Sequence, residues 1–186
     1  MRIISGTLKG KPLLFLKDKN TRPLKDAVKE NIFNILKHSN KLNVTIENAK
    51  VLDLYSGFGS FGLECLSRGA KIVTFFESNR IISNTLRRNL INLSILDRAN
   101  IINDKIENLG ENLREKKFNI FFFDPPFKDN DFILNLKNLK EKKVFDQNHV
   151  IIIHREKSSR DNLQEYLSSK IVKVYGRSKI IFGVFD

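Results

Sequence analysis

Cysteine is almost absent from this 186-residue chain, where Cys65 stands alone. One thiol cannot close an internal disulfide, and no CxxC or His/Cys cluster offers zinc a ligand set. An oxidised secreted scaffold and a thiolate metal centre are therefore excluded, and no metal is expected. Cys65 sits beside Leu63 and Leu66 in a helix-like stretch and reads as a small buried hydrophobe. Long apolar runs are missing too. Residues Met1 to Gly6 lack the roughly 7–15 apolar residues of a signal peptide, and no segment approaches the ~20 needed to span a membrane. A soluble, untargeted, cytoplasmic protein is expected. Acidic residues are in deficit: 21 Asp and Glu face 33 Lys and Arg, giving a formal net charge of +12 and a pI near 9.8. Lysines spread along the whole chain. Such a charge suits a polyanionic partner. It equally suits the residue usage of an AT-rich genome, in which case it only solvates the surface.

The length allows one domain with a real core plus a small appendage. From Lys50 onward, runs rich in β-branched and aromatic residues alternate with helical patterns; 50–55, 71–76, 99–103, 118–124, 149–154, 171–175 and 179–185 read as strands. Between them, 79–93 carries Ile82, Leu86, Leu90 and Leu93 at helical spacing, and 129–143 and 158–168 show weaker faces. This rhythm predicts an α/β, Rossmann-like fold with a mostly parallel sheet covered on both sides. Only Gly176-Arg177-Ser178 separates the last two runs, too little for a crossover, so they should form an antiparallel hairpin. Ahead of this unit, residues 2–16 read as a basic β-hairpin turning through Gly6 to Lys11. A helix follows Thr21-Arg22-Pro23, with Val28, Ile32, Ile35 and Leu36 on one face and Lys25, Asp26, Lys29 and Glu30 on the other. The polar stretch 38–48 is the linker candidate, which gives an extension over 1–40 and a main domain over 41–186.

Glycine is concentrated where it matters. The strand Val51 to Tyr55 runs into Ser56-Gly57-Phe58-Gly59-Ser60-Phe61-Gly62, and a helical pattern follows, so this is GxGxxG in its required context. Glu77 ends the next strand twenty residues beyond Gly57. A carboxylate there accepts both hydroxyls of a ribose, which predicts an adenosine-containing cofactor. Asp53 selects between the two candidates. It would repel a pyrophosphate but suits the ammonium of a methionyl group, which favours S-adenosylmethionine over a dinucleotide. Tyr55, Gly57, Gly59 and Ser78 complete the expected cofactor contacts. Asp104, after the third strand, is placed to accept from the adenine amine or to cap a helix over 105–116, and the two roles are compatible.

Proline is scarce, four in all, yet two stand together in Asp124-Pro125-Pro126-Phe127, at the end of the apolar run from Phe118. Two prolines fix φ and remove two backbone N–H donors, so the turn offers carbonyl oxygens, one carboxylate and one aromatic face. That set fits a flat exocyclic amine on a nucleobase. The same tetrapeptide also serves as an ordinary turn.

Taken in order, Asp53-x-x-x-Gly57-x-Gly59, Glu77, Asp104 and Asp124-Pro-Pro-Phe127 resemble a class I S-adenosylmethionine-dependent methyltransferase, whose seven-stranded sheet has its last strand reversed. Arg2-Ile3-Ile4-Ser5-Gly6, Thr21-Arg22-Pro23, Asp26-x-Val28-Lys29-Glu30-x-x-Phe33, Gly62-Leu63-Glu64 and Leu66-Ser67-Arg68-Gly69-Ala70 narrow the resemblance to the RsmD-like family of bacteria. It implies methylation of guanine N2 in 16S ribosomal RNA, on free RNA or a small-subunit particle, by a monomer. The residues depart from the family pattern at Leu24, Lys29, Phe58 and Phe61, the two Phe leaving the shape of the cofactor pocket open. At the fifth strand's end His154 stands where an acid is expected, and it reads as structural or solvent-facing.

Under this resemblance Asp124 accepts the proton lost by N2, with Pro125, Pro126 and Phe127 completing the catalytic turn. Arg2, Lys9, Lys11, Arg22, Lys25 and Lys29 form the basic cluster expected to hold RNA phosphates. The rivals are an adenine-N6 methyltransferase acting on DNA or RNA, a non-catalytic RNA-binding protein of the same fold, and a nicotinamide oxidoreductase.

Overall fold

The computed structural model of the protein describes residues 1–16, 24–104, 106–109, 113, 116–126, 129 and 131–186. Its centre is a seven-stranded sheet. The strands are β1 (Lys50–Leu54), β2 (Ile72–Phe76), β3 (Ala99–Ile102), β4 (Phe118–Phe123), β5 (Phe145–Glu156), β6 (Ser168–Tyr175) and β7 (Ser178–Val184). All seven expected runs form strands, in the order β3-β2-β1-β4-β5-β7-β6. β1 to β5 are parallel, while β7 lies antiparallel to both β5 and β6. The hairpin closes through Gly176 and Arg177, bringing Tyr175 opposite Ser178.

Among the described residues the α-helices longer than one turn are α1 (Asp26–His38), α2 (Ser60–Ser67), α3 (Arg80–Asn92) and α4 (Phe132–Glu141). Strand residues alternate between the two faces of the sheet, with period two. Val51, Phe75, Ile120, Phe122 and Ile152 meet Ile32, Phe33, Phe61 and Leu86 of the first three helices. Leu54, Phe76, Phe121, Phe123 and Ile153 meet Phe132, Leu136 and Leu139 of α4 on the other face. Burial on both faces is why these strands are almost continuously apolar.

One expectation needs correction. No helix forms over 158–168: the segment takes turns, with the Leu163 carbonyl accepting from the amides of Tyr166 and Leu167. Asp161 within it is committed to an ion pair with Arg155, and Leu163 and Leu167 pack as single anchors on the sheet. The amino-terminal hairpin forms as a short ladder: Ile3 N donates to the Lys11 carbonyl, Gly10 N to the Ile3 carbonyl and Leu13 N to the Met1 carbonyl, around one regular bridge, Arg2 opposite Pro12. The segment is held chiefly by side chains of the main domain. Leu14 N donates to Asn89 Oδ1, and Ile4 N and Ser5 N donate to the Glu64 carboxylate. Ile3, Leu13 and the α1 face share the core cluster of the sheet. Among the described residues no helix is long and apolar enough to cross a membrane.

Candidate active site

In the strand order, β1 has β2 on one side and β4 on the other, so the winding reverses between β1 and β4. Loops leaving the carboxyl ends of two such strands diverge and open a crevice, the usual ligand site of this sheet type. Leu54 pairs with both Phe76 and Phe123, so Tyr55, Glu77 and Asp124 emerge side by side. Phe76 pairs in turn with Ile102, which brings Asn103 and Asp104 to the same edge. The topology therefore gathers the residues that the sequence scattered over some seventy positions. A cavity of about 240 Å³ at the opposite pole, lined by Asn43, Glu47, Asn119 and Asp146, contains none of them.

The glycine loop is strained and tied down. Tyr55 takes φ +57, unusual for a side-chain-bearing residue, and its hydroxyl accepts from Asn135 Nδ2 at 3.2 Å. Gly59 at φ +83 donates to the Ser56 carbonyl and starts α2. At Gly62 the need is room, because a Cβ there would stand 2.3 Å from the Phe75 ring. Asp53 lies beneath the loop, fully buried, with Oδ2 accepting from Gly62 N at 2.9 Å. Burial pushes its carboxyl well above the ordinary range; the Gly62 N–H opposes this, and the charges of Asp124 and Glu77 add to it. Asp53 thus fastens β1 to α2. Of the two unusual aromatics, Phe61 stacks between Phe33 and Phe122 in the core. Phe58 is buried too, its carbonyl accepting from Asn89 Nδ2.

Glu77 joins the loop to the next turn: Oε2 accepts from Gly57 N at 2.9 Å and Oε1 from Asn79 N at 2.8 Å. Burial raises its pKa, and the N–H groups of Asn79, Gly57 and Ser78 oppose the rise. Asn103 Nδ2 donates to the carbonyls of Glu77 and Ser78, fixing that turn from below. Asp104, half-buried, accepts from Asn108 Nδ2 at 2.9 Å. The described start of the 105–116 segment is a short 3-10 turn, Ile106–Asn108. Neither Asn79 nor Asn103 entered the sequence reading, although Asn79 precedes a helical face and could have been read as the cap of α3 that it is.

At the end of β4 the Asp124 side chain is 24% exposed, and Oδ1 lies 2.8 Å from His154 Nδ1. His154 Nε2 lies 2.9 Å from Ser178 Oγ. Of the two readings of His154, structural or solvent-facing, the first holds: the ring is buried between β4 and β7 and hydrogen-bonded at both nitrogens. Arg155 also escaped the sequence reading. It is buried, grips Asp161 through Nε and Nη2 at 3.1 Å each, lies over the Phe132 ring, and donates from Nη1 to the Pro126 carbonyl at 3.2 Å. No sequence signal marked it beyond a charge closing an apolar run. Phe127 lies outside the described residues.

Of the expected basic cluster, Lys9, Lys11 and Lys25 are exposed, and Arg2 is exposed with Nε 3.3 Å from Asp26. Arg22 lies outside the described residues. Lys29 is a correction: it is fully buried, donates to the Arg2 carbonyl at 2.8 Å and the Ser60 hydroxyl at 3.3 Å, and cannot reach a phosphate. It stands one residue after Val28 at the edge of the apolar stripe, where Glu64 on α2 draws it inward.

Comparison with known proteins agrees with this architecture. Residues 1–184 match the family described as Conserved hypothetical protein 95. A Haemophilus influenzae protein named Ribosomal RNA small subunit methyltransferase D is 35% identical over 159 residues, covering 84% of this chain and 79% of that one. The solved structure of a putative methyltransferase, yhhF, from Escherichia coli superposes with a TM-score of 0.84 at 26% identity, over all of this chain and 98% of the other. An RNA methyltransferase from Salinibacter ruber, solved with S-adenosyl-L-homocysteine, shares the fold with a TM-score of 0.65 at 11% identity, over 89% and 95% of the two chains.

Proposed function

Because the chain belongs to the Conserved hypothetical protein 95 family, the RsmD-like family that its motifs resemble, we propose that it transfers a methyl group from S-adenosylmethionine to guanine N2 in 16S ribosomal RNA. The observation that carries this reading is the pairing of the Gly57 loop with the Asp124-Pro125-Pro126 turn on neighbouring strands at the reversal of the sheet. The Haemophilus relative's name supplies the RNA class.

S-adenosylmethionine supplies an electrophilic methyl on a sulfonium centre. The residues fit such a group. Nothing stands within 4 Å of where a Gly57 Cβ would be, leaving a cradle above the loop, and the acid beneath it disfavours phosphate. Glu77 takes the ribose hydroxyls, Asp104 the adenine amine, and Tyr55, Gly59 and Ser78 line the rest, with Asp53 favouring the ammonium. Asp124 and the Pro125 carbonyl accept the two N–H bonds of the target amine, so its lone pair points along the transfer line. Asp124 takes the released proton. Alignment carries more of the rate than proton acceptance, which is worth ~10²–10⁴-fold. Phe127 stacks on a base that has left its helix. Lys9, Lys11, Lys25 and Arg2 hold the flanking phosphates. The enzyme acts as a monomer in the cytoplasm.

The experiment is transfer of labelled methyl to small subunits lacking the modification, with free 16S RNA and duplex DNA in parallel, followed by nucleoside analysis. Label in N2-methylguanosine, lost in a folded Asp124→Ala variant, is the expected result. Label in N6-methyladenine would replace the proposed target, and normal turnover by Asp124→Ala would remove the mechanism.

A further inference from the structure

The turn that places Asp124 also deprives it of support. An aspartate at a strand end ordinarily accepts from backbone N–H groups one or two residues on, and that contact sets its rotamer. Residues 125 and 126 are proline and have no N–H to give. Among the described residues, the hydrogen bond that reaches the Asp124 carboxylate comes from β5, at 2.8 Å between His154 Nδ1 and Oδ1. We propose that His154 is the positioning residue of Asp124, holding Oδ1 so that Oδ2 is presented to the target amine, with its own ring orientation set by Ser178.

This rests on the methyl-transfer reading above. A carboxylate can only accept, so the ring nitrogen facing it must carry hydrogen, which puts the proton of a neutral imidazole on Nδ1 and the lone pair on Nε2. Ser178 Oγ–H, 2.9 Å away, then donates to that lone pair. Each partner has one role. His154 sits opposite Ile180 in the β5–β7 ladder, and Ser178 opens β7, so the ring is held by two strands and not by a loop. Both the His154 and Ser178 side chains are largely buried, whereas Asp124 stands at the mouth. An acid at 154, the residue expected there from the resemblance, would face Asp124 with like charge and leave it with no donor. His154 supplies a donor without requiring a charge.

The test compares His154→Ala, His154→Asn and Ser178→Ala with the wild type in single-turnover and steady-state methyl transfer. Asparagine can place an N–H near the position of Nδ1, so it restores the contact without the ring. The expected result for His154→Ala is a fall in kcat of ~10- to 100-fold, the scale of one hydrogen bond to a charged group, with KM for S-adenosylmethionine within about twofold. His154→Asn should recover most of that loss, and Ser178→Ala should lose less than His154→Ala. Independently of activity, ¹⁵N-histidine NMR should find Nδ1 of His154 protonated in the wild type and the tautomer balance shifted in Asp124→Ala. Unchanged kcat in His154→Ala, an Asn variant no better than Ala, or an imidazole signal indifferent to Asp124→Ala would each overturn the proposal. If His154→Ala does not fold, the Asn variant and the NMR comparison decide. A wild type inactive on every nucleic acid would overturn the methyl-transfer reading, while the NMR comparison would still judge the pair.

Discussion

The Lys29 ammonium lies 3.7 Å from the Glu64 carboxylate, and neither side chain is exposed to solvent. Glu64 also accepts from Ile4 N, Ser5 N and Arg68 Nε, so one carboxylate on α2 ties down the amino-terminal segment, α1 and its own helix end. Burial lowers the Lys29 pKa, and the charges of Glu64 and Asp26 oppose that.

Removing the hub should cost more than removing one of its spokes. Glu64→Ala leaves the buried Lys29 ammonium without its counter-charge and the Ile4 and Ser5 amides without their acceptor, and a loss of ~3–5 kcal/mol is expected. Lys29→Met removes the charge that needed the partner and leaves Glu64 with three donors, so it should cost less. Urea midpoints rank the two, and amide exchange at Ile4 and Ser5 should accelerate in Glu64→Ala. A larger loss in Lys29→Met would contradict the assignment.

Asp53 gives a pH-dependent prediction. Its folded pKa is raised, chiefly by burial, so the folded state holds a proton that the unfolded chain has released. Its stabilising contribution is present below the ordinary carboxylate value and is lost as pH rises through the raised one. Asp53→Asn keeps an acceptor for Gly62 N and cannot ionise. Melting temperature should therefore fall less between pH 5 and pH 8 in Asp53→Asn than in the wild type, while S-adenosylmethionine, whose ammonium favours the ionised form of Asp53, binds more weakly. Parallel slopes for the two proteins would refute this.

What the sequence reveals here follows from what kind of signal each residue carries. Seven strands, their reversed hairpin and the strand-end positions of Glu77 and Asp124 were legible because short apolar runs and the turn chemistry of glycine and proline are local. Arg155 and His154 were not, because their roles depend on Asp161, Pro126, Asp124 and Ser178, which only the fold brings near. Lys29 misled for the opposite reason. A lysine on a helix flank is normally solvated, and only Glu64, thirty-five residues away, reverses that. The helix expected over 158–168 failed because weak apolar spacing could not outweigh an Asp161 already bound to Arg155.

The basic surface makes a prediction in which Lys29 is the control. If Lys9 and Lys11 each neutralise a phosphate, replacing both by alanine should weaken binding of 16S RNA fragments whatever their sequence. It should also flatten the plot of log affinity against log salt by about 0.7–0.9 per lost contact. Lys29→Met, a change in the core, should leave that slope alone. A slope change in Lys29→Met equal to that of the double variant would show that the affinity does not come from these exposed lysines.

Glu77 offers the sharpest test of how the cofactor is held. Its two oxygens already accept from Gly57 N and Asn79 N, which fixes the carboxylate plane and leaves each oxygen a further lone pair for a ribose hydroxyl. Ribose hydroxyls donate, so they favour the ionised carboxylate, and protonation competes with binding. Burial raises the pKa of the free protein, so the competition begins above the usual carboxylate range: affinity for S-adenosylhomocysteine should decline as pH falls from neutrality through that raised value. Glu77→Gln keeps the shape but turns an NH₂ toward either Gly57 N–H or Asn79 N–H. It should bind ~10- to 100-fold more weakly at neutral pH, with this acid-side decline removed. Calorimetric titration at several pH values reads both effects. If Glu77→Gln kept the wild-type pH dependence, the carboxylate that senses protons would lie elsewhere, and Glu77 would be only the brace between the Gly57 loop and α3.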